Sequence, residues 1–405
     1  MNTDFTPVLL GSDVNVYGMA RAFHQEYGII SAAIGRGRLL PTANSSIVDI
    51  KRTEPDLEDD EVFVKTLTEF DEENPGTKLL IPCGDGYVRL LMSNRDRLRD
   101  MYRFHVPDEG MYYRLCLKES FYKLCDQYGF KYPKTEIFTA EDMGKRLPDT
   151  GFPVIIKASD SVAYWDCSFP HKKKVFIAHN ADEFNNITKA IYSSSYKAPL
   201  IIQEFVPGED SQMRVLNCYC GSDGRVRLAA LGHALLEEHS PQGIGSYAAV
   251  ISTQDRSLTD RVKRMLEDIG YKGIANFDIK LDPRDGEYKF FEINLRQGRS
   301  SYFVTAAGHN LAKYMADDLV YNRPSEYTDT GNEFLWTIIP KSIIFRYVSD
   351  KTLLHKTKSL IKQGKWVNSL YYNKDMSLKR YFILRKNDKE YHKKYKRFFG
   401  NKSLG

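Results

Sequence analysis

A chain of 405 residues with 42% hydrophobic content is long enough for two or three domains and too apolar to be disordered. No apolar run approaches the roughly 18 residues of a membrane span, and the opening MNTDFTPVLLGSDVNVYG lacks the basic and long apolar regions of a secretory signal, so a cytoplasmic protein is expected. The net charge of +5 is uneven: residues 351–405 hold 16 Lys+Arg against 3 Asp+Glu, which leaves the preceding 350 residues at −8, a mildly acidic body with a basic tail.

In chain order, TPVLLGSD reads as a short buried strand ending in a glycine turn. VYGMARAFHQEYG follows with Met19, Ala22, Phe23 and Tyr27 at helical spacing and Gly28 as a stop. IISAAIG returns to strand, and KLLIPCGDGYVRLL repeats the strand-turn-helix rhythm, so a doubly wound α/β domain is expected. Gly11 alone is no dinucleotide fingerprint, because G-x-G-x-x-G is absent. From about residue 115 the texture changes. LCLKESFYKLCDQYGF predicts a helix with Leu117, Phe121, Leu124 and Tyr128 on one face. FPVIIKAS and PLIIQEFVPGED predict strands, the second broken at Pro207-Gly208. Between them DSVAYWDCSFPHKKKVF reads as a long loop. SLTDRVKRMLEDIG is an amphipathic helix with Ser257 as its expected cap and Gly270 as its end. GIANFDIKL and YKFFEINL then form a hairpin across the turn-rich DPRDG.

The hairpin carries the chemistry. Asp278 and Glu292 lie near the same end of adjacent strands, and period-two alternation sets Asn294 on the face of Glu292. Three oxygen donors without sulfur or imidazole suit Mg²⁺, a hard cation usually completed by substrate phosphates. The alternative is a solvated strand face whose acids pair with Arg296 and Arg299. The six cysteines (83, 116, 125, 167, 218, 220) are scattered and read as reduced thiols, and the dispersed histidines give no zinc spacing. Lys118 near a helix start, Lys157 on a strand and the acids of QEFVPGED add cations and a hinge, as a nucleoside triphosphate requires. Taken singly, each lysine is more commonly a surface charge.

In this order the residues resemble the ATP-grasp superfamily over about residues 5 to 325, through LKESFYKLCDQYGFKYPKT, GFPVIIKAS, QEFVPGED and GIANFDIKLDPRDGEYKFFEINLRQGRSS. The resemblance implies an α/β fold. A Rossmann-like domain over 1–115 precedes an ATP-grasp domain over 116–328, with a small lobe at about 130–205 and a large lobe at about 206–328. A basic extension covers 329–405. It implies ATP and Mg²⁺, with Lys118 and Lys157 on phosphates, Gln203, Glu204 and Val206 at the adenine and Asp210 at the ribose. Asp278, Glu292 and Asn294 would hold the metal, and Arg296 would face the acyl phosphate, with Lys157 also acting in the chemistry. One departure stands out: the loop after Lys157, glycine-rich in the superfamily, has no glycine here, so its lysines or Ser159 and Ser161 are left for the phosphates. SDVNVYGMARAFHQEYG and IPKSIIFRYVSD narrow the resemblance to the carboxylate–amine ligase branch that includes D-aspartate ligases of peptidoglycan assembly. That branch implies a small amino acid and a UDP-linked muramyl peptide as partners.

Other segments are open to two readings. Gly243 and Gly245 form either a tight turn or a backbone cradle for an acidic substrate, and Arg214 and His239 either pack or meet a substrate carboxylate. The basic tail is a solvated helical cap, a dock for an anionic substrate or membrane surface, or a nucleic-acid patch. Competing functions are a ligase for other carboxylates and amines and a nucleotide-binding scaffold without turnover.

Overall fold

In a computed structural model the chain is described over residues 4–241 and 243–399, apart from the side chains of Ser161, Val162 and Trp165. Three sheets organise it. The first is four-stranded and all parallel, in the order Val48–Thr53, Ser31–Gly35, Phe5–Leu10, Thr77–Pro82. The expected helix spans Val14–Tyr27. Asp13 caps it by accepting from the amides of Asn15 and Val16, and Gly28 ends it at φ 70°. Turns after the strands Phe5–Leu10 and Thr77–Pro82 therefore gather at one edge, where open α/β sheets bind ligands.

A second sheet of four strands holds Thr135–Phe138, Leu200–Glu204, Val154–Ala158 and Val175–Ala178 in that order, every pair antiparallel. Its buried side chains, including Phe138, Ile156, Phe184 and Ile202, form a core of their own. The third sheet runs Tyr288–Asn294, Gly273–Leu281, Met213–Cys220, Val226–Glu238, Ser246–Thr253, Leu335–Thr337, Trp366–Asn368.

The structure changes several expectations. The segment around residue 115 is two helices, Glu109–Cys116 and Lys118–Gln127, because Leu117 is extended between them. The amphipathic helix Arg256–Asp268 is capped by Asp255, whose carboxylate accepts from Leu258 N, and not by Ser257. The segment after Lys157 contains a helical turn, Ser161–Asp166.

The basic tail is not an appendage. Its strands Leu335–Thr337 and Trp366–Asn368 extend the third sheet, and Trp336, Leu384, Tyr391 and Tyr395 are buried in one core with Tyr17, Phe23 and Val250. Its last helix, Leu378–Phe398, alternates such buried positions with outward lysines and arginines. Most of the tail's aromatic residues turn inward because they have a core to fill, and most of its charge stays in water, Arg380 being a buried exception. Tyr381 and Phe382 remain exposed. Among the described residues no helix is long and apolar enough to cross a membrane.

Candidate active site

The strand Tyr288–Asn294 pairs antiparallel with Gly273–Leu281, but its register slips by one residue: Phe290 faces Ile279, and Glu292 faces Asp278. Phe291 is the extra residue of a β-bulge, which re-aims side chains beside it. Burial records the slip, since Phe290, Ile293 and Leu295 are buried, a change of parity within one strand. Glu292 and Asp278 thereby stand directly across from each other. The carbonyl of Phe291, pushed out of the ladder, accepts from Lys118 Nζ at 3.0 Å and from Tyr122 Oη at 3.2 Å.

Charges converge on this point. Lys118 Nζ also reaches Glu292 Oε2 at 3.2 Å. Asp278 accepts from Tyr247 Oη at 2.8 Å and from Asn294 Nδ2 at 3.1 Å. Arg296 Nη2 donates to Asn294 Oδ1 at 3.1 Å and to Asp85 Oδ2 at 2.8 Å, a residue at the start of the helix Asp85–Ser93. Burial, joined by repulsion from Glu292, pushes the Asp278 carboxyl up to about 6. Glu292, deep in the cleft but with 47% of its side chain open to solvent, is held down at about 2 by Lys118 against the opposing effect of burial, with help from Lys157.

Lys157 Nζ lies 3.4 Å from Gln203 Oε1 and 5.8 Å from the centre of the Phe291 ring. Burial, and then Lys118, lower it to about 8. Lys174, at the end of the glycine-free segment, acts electrostatically on both Lys157 and Glu292. Ser159 is tied to Tyr196 and the Pro199 carbonyl, and the side chain of Ser161 lies outside the described residues.

The hinge acids are placed differently from expectation. Gln203 is buried, and its amide donates to Tyr122 Oη at 2.8 Å and Thr135 Oγ1 at 3.0 Å, so it braces Lys157 from inside. The Glu204 carboxylate pairs with Arg284 at 2.6 Å, and its backbone amide donates to the Lys134 carbonyl. The Val206 carbonyl accepts from Lys280 Nζ at 2.8 Å. Asp210 does not face outward, as a ribose contact requires: it is 5% exposed and accepts from Glu237 N at 3.0 Å and His239 Nε2 at 2.8 Å. Its neighbour Glu209 is the exposed acid of this turn. Arg214 donates to the Ser211 and Met213 carbonyls, and the amides of Gly243 and Ile244 close a turn on Ser240, so these segments pack.

The donor set fits a divalent cation. Burial and then the facing Glu292 carboxylate both disfavour the charge on Asp278, and a cation between the two acids would relieve that. Asn294 turns its amide nitrogen to Asp278 and its oxygen to Arg296, so joining the ligand set requires a flip of the amide. Among the described residues no group of three or more His, Cys, Asp or Glu is placed to hold a metal ion.

Sequence reasoning missed Asp85, Tyr122 and Tyr247, which hold Arg296, the bulge and Asp278. Asp85 had a signal, as the acid opening a helix after a strand-glycine turn; the tyrosines had none.

The chain is 40% identical over 412 residues to the D-aspartate ligase of Enterococcus faecium, with 98% of this chain and 97% of that one covered. Among solved structures it resembles an L-amino acid ligase from Bacillus licheniformis (TM-score 0.55, 13% identity, 79% of this chain and 75% of that one). It also resembles an N5-carboxyaminoimidazole synthetase from Staphylococcus aureus (TM-score 0.57, 13% identity, 82% and 81%). No family model matches the sequence.

Proposed function

The chain belongs to the ATP-grasp carboxylate–amine ligases, and we propose that it joins D-aspartate, through its β-carboxylate, to the lysine side-chain amine of a UDP-linked muramyl pentapeptide. The activity class is the formation of a carbon–nitrogen bond at the expense of ATP. The observation that carries the reading is the convergence of Asp278, Glu292, Asn294 and Arg296 at one strand end, with Lys118 and Lys157 beside them. The relative named for D-aspartate ligation supports the choice of acid.

The chemistry follows from what these groups can do. A carboxylate is a poor electrophile, so one of its oxygens first attacks the terminal phosphorus of ATP, and ADP leaves. The amine then attacks the acyl carbon, phosphate departs and the amine loses a proton. Mg²⁺ held by Asp278, Glu292 and Asn294 would neutralise charge on the transferred group. Lys118 and Lys157 would pair with phosphate oxygens. Arg296 would oppose the charge that gathers on the reacting carboxyl group. The second sheet, with its separate core, would hold the nucleotide from above and keep water from the acyl phosphate. We divide the chain at about 115 and 205, and keep the strands Leu335–Thr337 and Trp366–Asn368 beyond 328 with the third sheet that they extend. The free cysteines agree with a cytoplasmic protein.

Enzyme, ATP and D-aspartate without the amine should yield the β-hydroxamate when hydroxylamine is added. Trapping with a different acid would keep the ligase and discard D-aspartate. ADP release without any hydroxamate, and no ¹⁸O passing from carboxylate to phosphate in full turnover, would rule out the acyl phosphate.

A further inference from the structure

Behind Arg296 lies a cavity of about 510 Å³ whose lining includes Asp13, Asn15, Arg296, Arg299, Asn387 and Tyr391. Its walls come from distant parts of the chain, among them the start of the helix Val14–Tyr27, the loop at Leu39 to Pro41, the segment after the strand Tyr288–Asn294, and the tail helix Leu378–Phe398. The charged groups are two guanidiniums and one carboxylate. Arg296 ties one end to Asn294. Arg299, three residues on, is fixed by Glu238 at 2.9 Å and by Tyr391 Oη at 2.9 Å. Glu238 is in turn held by Lys394 at 2.9 Å and Ser240 at 2.8 Å. A guanidinium has five N–H groups; Arg296 meets Asp85 and Asn294 and Arg299 meets Glu238 and Tyr391, which leaves donors on each for a ligand. Asp13 is within electrostatic range of both arginines, and it accepts from Asn15 N and Val16 N through Oδ1.

We propose that this cavity is the subsite for a dicarboxylic amino acid: Arg296 takes the carboxylate that reacts, Arg299 takes the second carboxylate, Asp13 takes the ammonium, and Tyr391 of the tail helix sets the position of Arg299. The proposal rests on the ligase reading above and adds the residues that choose the acid. Two cations and one anion in the wall match two carboxylates and one ammonium in the ligand, group for group. A monocarboxylic amino acid would forgo the contact with Arg299, which Glu238 and Tyr391 already hold in place, so the arginine favours the diacid by binding it. The tail acquires a role here, since Asn387 and Tyr391 close the wall that the first and third sheets leave open.

The test compares D-aspartate with β-alanine, the same molecule without its α-carboxylate, in the hydroxylamine trapping assay. The wild type should favour D-aspartate. In Arg299→Gln the ratio of kcat/KM for D-aspartate over β-alanine should fall at least about tenfold, the worth of a charge-assisted pair. Tyr391→Phe should lower it in the same direction by less, chiefly through KM. For Asp13→Asn the matching comparison is D-aspartate against succinate, which lacks the ammonium, and that ratio should fall. ATP affinity by calorimetry reports whether each variant is folded. Parallel losses for both acids in Arg299→Gln, or unchanged ratios, would overturn the subsite. A wild type that traps no acid at all would instead defeat the ligase reading, so the two failures are distinct.

Discussion

Glu292 stands directly across from Asp278 because its strand takes one extra residue, Phe291, before reaching it. The two acids titrate in opposite directions, Asp278 up to about 6 and Glu292 down to about 2. Glu292 has the lysine and Asp278 has only a tyrosine and an amide.

Glu292→Ala and Asn294→Ala should each lower ligase turnover by more than about 100-fold, on the scale of a lost electrostatic stabiliser. Thermal melting should show both variants folded. Asp278→Asn should also be inactive, yet melt higher than the wild type without Mg²⁺ and nucleotide, because a neutral group replaces one of two opposed carboxylates. Near-normal turnover at saturating Mg²⁺ in any of the three would remove the metal assignment.

Lys157 supplies a pH test. Burial, and then Lys118, set its amine at about 8, so the free enzyme loses this charge as the pH rises through that value. ATP affinity should therefore weaken above pH 8, and binding near pH 8 should take up protons, seen as a buffer-dependent heat. Lys157→Met should flatten the profile and weaken binding at pH 7 by roughly tenfold. Between about 8 and the ordinary lysine value the folded protein binds fewer protons than the unfolded chain. The contribution of this group to stability therefore grows as pH rises through that window and is lost as pH falls through about 8.

The tail is held by a buried pair. Arg380 and Asp375 are each 1% exposed and 3.2 Å apart. Asp375 also accepts from Tyr17 Oη and from Ser45 and Ser46, and the Arg380 guanidinium lies 4.4 Å from the Tyr17 ring centre. Arg380→Met leaves a buried carboxylate without its cation and should cost about 3–5 kcal/mol in urea unfolding. Ending the chain near residue 350 removes the strand Trp366–Asn368 and should abolish cooperative unfolding. A truncated protein that keeps its melting transition would mean that the tail is the detachable cap its charge suggests.

The hairpin acids, Lys118, Lys157 and the strand-turn-helix opening were legible because period and chain order carry them. The bulge was half legible: Phe290-Phe291 breaks the alternation of the strand, but only pairing with Asp278 shows which residue is extra. The ribose role of Asp210 came from the resemblance alone, and its burial against His239, 29 residues on, is set by the tertiary fold. The tail was legible only in part: a helical cap was among its readings, but charge dominates its composition, and pairing into the third sheet shows only in the structure. Tyr247 and Tyr391 could not be found, since their partners are set by three-dimensional closure.

Asp85 and Arg296 provide the last prediction. The carboxylate sits on the first turn of a helix from the first sheet, 211 residues before the arginine it meets at 2.8 Å. Its side chain is 65% exposed, so the pair adds little to stability. Its effect is on geometry, because Arg296 also touches Asn294 and lines the cavity. Asp85→Asn keeps the shape and removes the charge. Melting and ATP affinity should stay near wild type, while hydroxamate formation falls about tenfold as Arg296 loses its fixed direction. Arg296→Ala should fall by more than about 100-fold in the same assay. Because Asp85 acts through Arg296, adding Asp85→Asn to Arg296→Ala should cost nothing further, and the cycle should show a coupling equal to the single effect of Asp85→Asn. Additive losses would mean that Asp85 meets the substrate itself.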